Sequence, residues 1–182
     1  MPDGYLEALQ RLALALADYH ARTGDDAVLV GGAAVTLYTA GWFPSGDFDL
    51  VAASTAVFDA VMAGQEFRSE DRPGRLRIGY YHPDHPGFGF QQVSGPLFGG
   101  RADPRRLVRM RVSLSGRVTL PAIEDLIADR LGQHAIASPT DTTRLDQAQV
   151  LFSLADSIDT AYLVRRITED GGDLALLGLT EE

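Results

Sequence analysis

The 182-residue chain contains no cysteine, so disulfides and thiolate metal sites are excluded. It contains no lysine either: all 16 basic residues are arginine, which rules out Schiff-base chemistry and a P-loop lysine. The arginine bias follows most simply from genomic composition. No apolar run approaches the roughly 20 residues that a membrane-spanning helix needs, so no membrane association is expected. Met1-Pro2-Asp3-Gly4 carries no basic flank ahead of the first apolar helix, so the expectation is no signal peptide and a bacterial-type cytoplasm. With 25 acidic residues the formal charge is −9, which argues against a broad DNA- or RNA-binding surface. The one basic concentration is Arg101, Arg105, Arg106, Arg109, Arg111 and Arg117. It reads either as a local phosphate or RNA-backbone contact or as a solvated face pairing with the chain's own acids.

What is present is a chain of globular composition, 45% apolar and 23% charged, long enough for a proper core. Helical spacing of Leu6, Leu9, Ala13, Leu16 and Ala17 predicts an amphipathic helix over 6–23, ended by Gly24-Asp25-Asp26. A short buried strand is expected over 27–30, a short helix over 33–40, a turn at 42–46 and a strand over 47–53. Ser54 is the expected N-cap of a helix reaching Gly64. The period then changes: 75–81 and 87–93 read as strands joined by His82-Pro83-Asp84-His85-Pro86, and 107–114 with 117–120 as a hairpin about Ser115-Gly116. From Pro121 onward the pattern is helical, with a loop at 137–142 and a stop at Gly171-Gly172. The expected class is α+β: a mixed sheet flanked by helices over 1–120, with a helical C-terminal extension over 121–182 packed on that core.

The chemistry concentrates near the start of this pattern. Asp47 and Asp49 alternate with Phe48 and Leu50, so both carboxylates share one strand face, about 7 Å apart. Such a pair suits a hard cation such as Mg²⁺. Gly31 and Gly32 stand where a strand gives way to a helix, and glycines there let backbone N–H groups and the helix dipole meet a phosphate. The plainer alternatives are a solvated acidic strand end and a tight turn.

Val30-Gly31-Gly32, a spacer of fourteen residues, then Asp47-Phe48-Asp49-Leu50 resembles the signature of the minimal nucleotidyltransferase superfamily, related to DNA polymerase β in its palm-like core. Residues 118–131, Val118-Thr119-Leu120-Pro121 running into Ile123-Glu124-Asp125-Leu126, look like the strand-then-helix segment of stand-alone bacterial members akin to abortive-infection toxins. The resemblance covers about residues 25–170. It implies Mg²⁺ on Asp47 and Asp49 (two ions if the site is complete), with the triphosphate of an NTP on Gly31 and Gly32 and a further contact from Ser45. The activity it implies is transfer of a nucleoside monophosphate to a hydroxyl on a small molecule, an RNA end or a protein side chain. It also implies a third carboxylate on a neighbouring strand, at the position that Gln91 fills here. An amide brings neither charge nor a base. Asp84 could substitute only if its loop folded back. Gln91 therefore supports an alternative: a catalytically reduced protein that binds nucleotide, or a protein partner in a toxin–antitoxin-like pair, without turnover.

Other features have plainer readings. His82 and His85 lie among prolines and read as an exposed turn rather than a metal pair. Leu97-Phe98-Gly99-Gly100-Arg101 reads as a glycine-rich loop, with a second phosphate contact as the alternative. Glu124-Asp125 reads as a helix N-terminal cap. Asp129-Arg130 reads as structural.

Overall fold

A computed structural model describes residues 1–74, 78–114 and 116–180. Helix α1, Tyr5–Thr23, buries Tyr5, Leu9, Leu12, Leu16 and Tyr19 on one face and stops at Gly24, whose φ of 78° closes the last turn. Strand β1, Val28–Val30, runs straight into α2, Gly31–Tyr38. Strand β2, Asp47–Val51, is followed by α3, Thr55–Gly64, where Ser54 accepts the Val57 N–H as N-cap. Then come β3 (Arg68–Ser69), β4 (Tyr80–His82), β5 (His85–Gln92), β6 (Val108–Arg111) and β7 (Arg117–Leu120). The C-terminal part holds α4 (Ile123–Ala135), α5 (Thr143–Leu154) and α6 (Thr160–Asp170). The expected strand over 75–81 is described only from Ile78 onward; residues 75–77, Ser115 of the second hairpin and the last two residues of the helical extension lie outside the described residues.

The described strands form one seven-stranded mixed sheet in the order β3-β4-β5-β2-β1-β7-β6. β1 and β2 are antiparallel with Val30 opposite Asp49, and β2 runs parallel to β5 with Asp49 beside Gln91. Aromatic packing holds this register. Phe48 and Phe90 stack with centroids 4.8 Å apart, and Tyr5 of α1 meets Phe48 at 4.9 Å. Phe48, Leu50 and Leu29 are fully buried on this face. A one-residue slip would bring Asp49 into the core in place of Phe48. Burying each such side chain stabilises by about 1.5–3 kcal/mol, so the carboxylates are held on the opposite face.

Two sequence expectations are corrected here. The turn at 83–84 is exposed, but His82 itself is 1% exposed, its ring edge-on to Phe67, so it belongs to the interior. Glu124-Asp125 stands in the first turn of α4, as expected of a cap, but the pair is buried and makes no side-chain cap hydrogen bond. Asp125 is 1% exposed and accepts hydrogen bonds from Arg166 and Tyr162, while Glu124 accepts the Asp159 N–H. Periodicity places these acids at a helix start, where a cap is the simplest account; only the docking of α6 supplies the Arg166 guanidinium that compensates Asp125 and the Asp159 N–H that satisfies Glu124.

Candidate nucleotide and metal site

The strand-to-helix junction is built around glycine for a steric reason. Gly31 has φ of +66°, and a Cβ there would lie 2.6 Å from Asp49 Oδ2. A Cβ on Gly32 would lie 2.9 Å from Ser45 Oγ, and one on Gly89 would lie 2.5 Å from Asp47 Oδ1. Each of the three polar side chains thus rests over bare backbone. The first turn of α2 follows, with its N–H groups unpaired by the helix and its dipole favouring an anion.

The loop carrying Ser45 is tied to α2. The Thr36 hydroxyl lies 2.7 Å from the Phe43 carbonyl and 3.0 Å from the Gly32 carbonyl, and Gly41 N–H donates to the Thr36 carbonyl. Ser45 Oγ donates to the Asp47 carbonyl at 2.9 Å and accepts the Asp47 N–H at 3.3 Å. Ser45 therefore shapes the entry to β2 and stands beside Gly32.

Gln91 Nε2 donates to Asp49 Oδ1 at 2.5 Å. An ionised carboxylate only accepts, so the amide presents its NH₂ edge and fills one oxygen of Asp49. Asp84 sits in the β4–β5 turn, seven residues before Gln91 along an extended strand and so about 23 Å away; it does not reach the pair. Among the described residues no three His, Asp or Glu side chains converge on a point that could hold a metal ion. Two carboxylates with an amide beside them suit one hard cation that completes its oxygen shell from a phosphate ligand and water, and do not match a site needing three protein carboxylates.

Gly31, Gly32 and Asp49 form one wall of an open cleft of about 360 Å³. Further lining comes from the C-terminal helices: Asp129 and Arg130 of α4, Gln133, and Arg144 of α5. These four are chained by hydrogen bonds. Arg130 pairs with Asp129; Gln133 Nε2 donates to the Asp129 carboxylate at 3.1 Å; Arg144 Nε donates to Gln133 Oε1 at 3.0 Å. Arg130 is only 3% exposed, so its guanidinium is held in place rather than solvated. The start of α4 is fixed by Tyr38, whose hydroxyl donates to the Pro121 carbonyl at 2.7 Å. Burial and the nearby Glu124 and Asp125 carboxylates push the Tyr38 phenol up, so it serves as a donor.

The cleft thus joins the Gly31, Gly32 and Asp49 expected from sequence to residues that sequence reasoning left as structural. A signal existed: Arg130 stands four residues after Leu126 and three after Ile127, on the apolar stripe of α4, where an unexplained arginine asks for a ligand or a partner. Pro96, Leu97, Phe98 and Gly99 also line the cleft. The arginine concentration behaves as a paired face for four of its six members: Arg101 meets Asp170, Arg105 meets Asp103, Arg106 meets Asp159 and Arg109 meets Asp26, at 2.6–2.9 Å.

No helix among the described residues is long and apolar enough to cross a membrane. No protein-family model matches the sequence, and no curated protein matches it. The structure is similar to the crystal structure of an antigenic nucleotidyltransferase-like protein from Paracoccidioides brasiliensis, with a TM-score of 0.59 over 90% of this chain and 87% of that one, at 14% identity. The chain therefore has a nucleotidyltransferase-like fold.

Proposed function

We propose that the protein binds an NTP with Mg²⁺ and transfers its nucleoside monophosphate to a hydroxyl acceptor. One observation carries this reading: Asp49 rests over the Gly31 turn and lines the same cleft as Arg130 and Arg144. Backbone N–H groups at Gly31 and Gly32 would take the triphosphate, with the two guanidinium groups of the same cleft as further phosphate contacts. Asp47 and Asp49 would hold the metal, which neutralises charge on the phosphates when bound. The acceptor oxygen attacks the α-phosphorus, the bond to the bridging β-phosphate oxygen breaks, and pyrophosphate leaves. Gln91 cannot take the hydroxyl proton, so the proton passes to the exposed Asp47 carboxylate or to water.

The Gln91–Asp49 hydrogen bond also favours a second reading, in which nucleotide binds but is not turned over and the protein acts through a partner, as in a toxin–antitoxin-like pair. Calorimetry with Mg²⁺ and each NTP, followed by transfer of α-labelled NTP to hydroxyl-bearing small molecules, RNA and protein, separates the two. The first reading expects labelled product and at least about a 100-fold loss in Asp49→Asn, in line with removal of a transition-state charge contact. Tight binding with no product from any acceptor class favours the second. No NTP binding refutes both.

A further inference from the structure

Pro96, Leu97 and Phe98 give the cleft apolar lining that neither the carboxylates nor the arginines account for. Immediately after β5, Val93 N–H donates to the Leu50 carbonyl, and the chain then turns through Pro96–Arg101 along the cleft rim. Within that turn Phe98 adopts φ 47° and ψ 45°, a left-handed conformation that a side-chain-bearing residue rarely takes, followed by Gly99 at φ 67° and Gly100 at φ 84°. The conformation is pinned rather than loose: Gly99 N–H donates to the Pro96 carbonyl at 3.0 Å, and Arg101 Nε meets Asp170 at 2.6 Å. Backbone strain held this firmly gathers at ligand clamps.

The strain does not serve the core. Phe98 is half-buried, yet it belongs neither to the buried cluster nor to the partly buried side chains packed on it among the described residues. Its ring makes no aromatic or cation–π contact with any described residue. An aromatic ring lining a polar cleft without a partner of its own leaves a face for a planar ligand.

We infer that Phe98 is the platform on which the nucleobase of the bound nucleotide stacks, a specificity-neutral anchor in the same cleft as the phosphates. This rests on the nucleotide-site reading above. The phosphates at Gly31, Gly32, Arg130 and Arg144 and the base at Phe98 then share one cleft of about 360 Å³. Base–aromatic stacking is worth roughly tenfold or more in affinity by alanine substitution.

The test compares Mg-ATP with Mg-tripolyphosphate, which shares the phosphates and lacks the base. In Phe98→Ala, Mg-ATP affinity should fall about tenfold or more and Mg-tripolyphosphate affinity should stay within about twofold; Phe98→Tyr should keep both. Because Trp42 is the sole tryptophan and is exposed, a Trp42→Phe, Phe98→Trp variant provides a single reporter in the turn. Its fluorescence should be quenched by Mg-ATP and not by Mg-tripolyphosphate. Equal loss of both ligands in Phe98→Ala, or no loss of either, overturns the platform while leaving the nucleotide site standing. Failure of the parent protein to bind either ligand overturns the site and the platform together.

Discussion

Gln91→Glu probes the centre of the candidate site, because glutamate places an oxygen where the amide nitrogen now donates to Asp49 Oδ1 at 2.5 Å. Two unit charges about 4 Å apart repel by about 4 kcal/mol at an effective dielectric near 20. The hydrogen bond lost to a charged group is worth about 1.5–3 kcal/mol. Asp49 and Gln91 are both only half-buried, so solvent screening reduces the net cost to about 2 kcal/mol. At about 2–4 °C per kcal/mol for a domain of this size, Tm should fall by about 4–8 °C at pH 7.5 in EDTA. The deficit should depend on pH with a definite sign. Two adjoining carboxylates raise their shared folded-state pKa above the unfolded value near 4, so the folded variant prefers to keep a proton. Its stability relative to the parent is then intact below about pH 4 and is lost as pH rises through that raised pKa. Added Mg²⁺ should recover most of the loss and bind more tightly than to the parent, since the variant offers a third carboxylate. Thermal melts from pH 4.5 to 8 with and without Mg²⁺, together with calorimetric titration of Mg²⁺, measure both effects. An unchanged Tm at pH 7.5 and an unchanged Mg²⁺ affinity would refute the reasoning.

Gly31→Ala must hold a left-handed φ of +66° and set a Cβ 2.6 Å from Asp49 Oδ2. It should lose about 1–2 kcal/mol, seen as a Tm drop of about 2–8 °C, and should weaken Mg-NTP binding at least tenfold by calorimetry; unchanged affinity would count against the Gly31–Asp49 approach. His82 is buried with Nδ1 accepting the Asp84 N–H and Nε2 without a partner among the described residues, and burial holds its pKa below the ordinary histidine value. The neutral ring is therefore the folded form, so stability is full above about pH 6.5 and declines as pH falls towards the lowered folded-state pKa. His82→Asn should flatten that acid limb in urea melts, and an unaltered limb would show that another group causes it. Arg166 is fully buried and bonds Asp125, Glu169 and Asp170. Arg166→Met leaves buried Asp125 without its counter-charge and should cost about 3–5 kcal/mol, or about 6–20 °C in Tm; a shift under 3 °C would sink that account.

Much of the secondary structure could be read locally, because the signals are local. The α1 stripe, the Ser54 cap, the Gly24 and Gly171 stops and the Asp47–Leu50 alternation each depend on residues within one or two turns of chain. The seven-stranded mixed sheet with helices and a helical C-terminal portion matches the class that this pattern suggested. Where locality ended, so did the reading. Asp125 read only as a helix cap and His82 as part of an exposed turn, because their partners, Arg166 and Phe67, approach from other elements.

The site divides in the same way. By itself the sequence determined that two carboxylates share one face of a strand and that a glycine pair opens a helix, since side-chain alternation and missing Cβ atoms are properties of a few adjacent residues. Only the tertiary structure decided that the carboxylate of Asp49 rests over Gly31, that Gln91 donates to that carboxylate, and that Arg130, Arg144 and Phe98 line the cleft beside it. Those positions are brought together by parallel pairing of β2 with β5 and by the packing of α4 and α5, contacts between segments far apart in the chain that no local periodicity encodes.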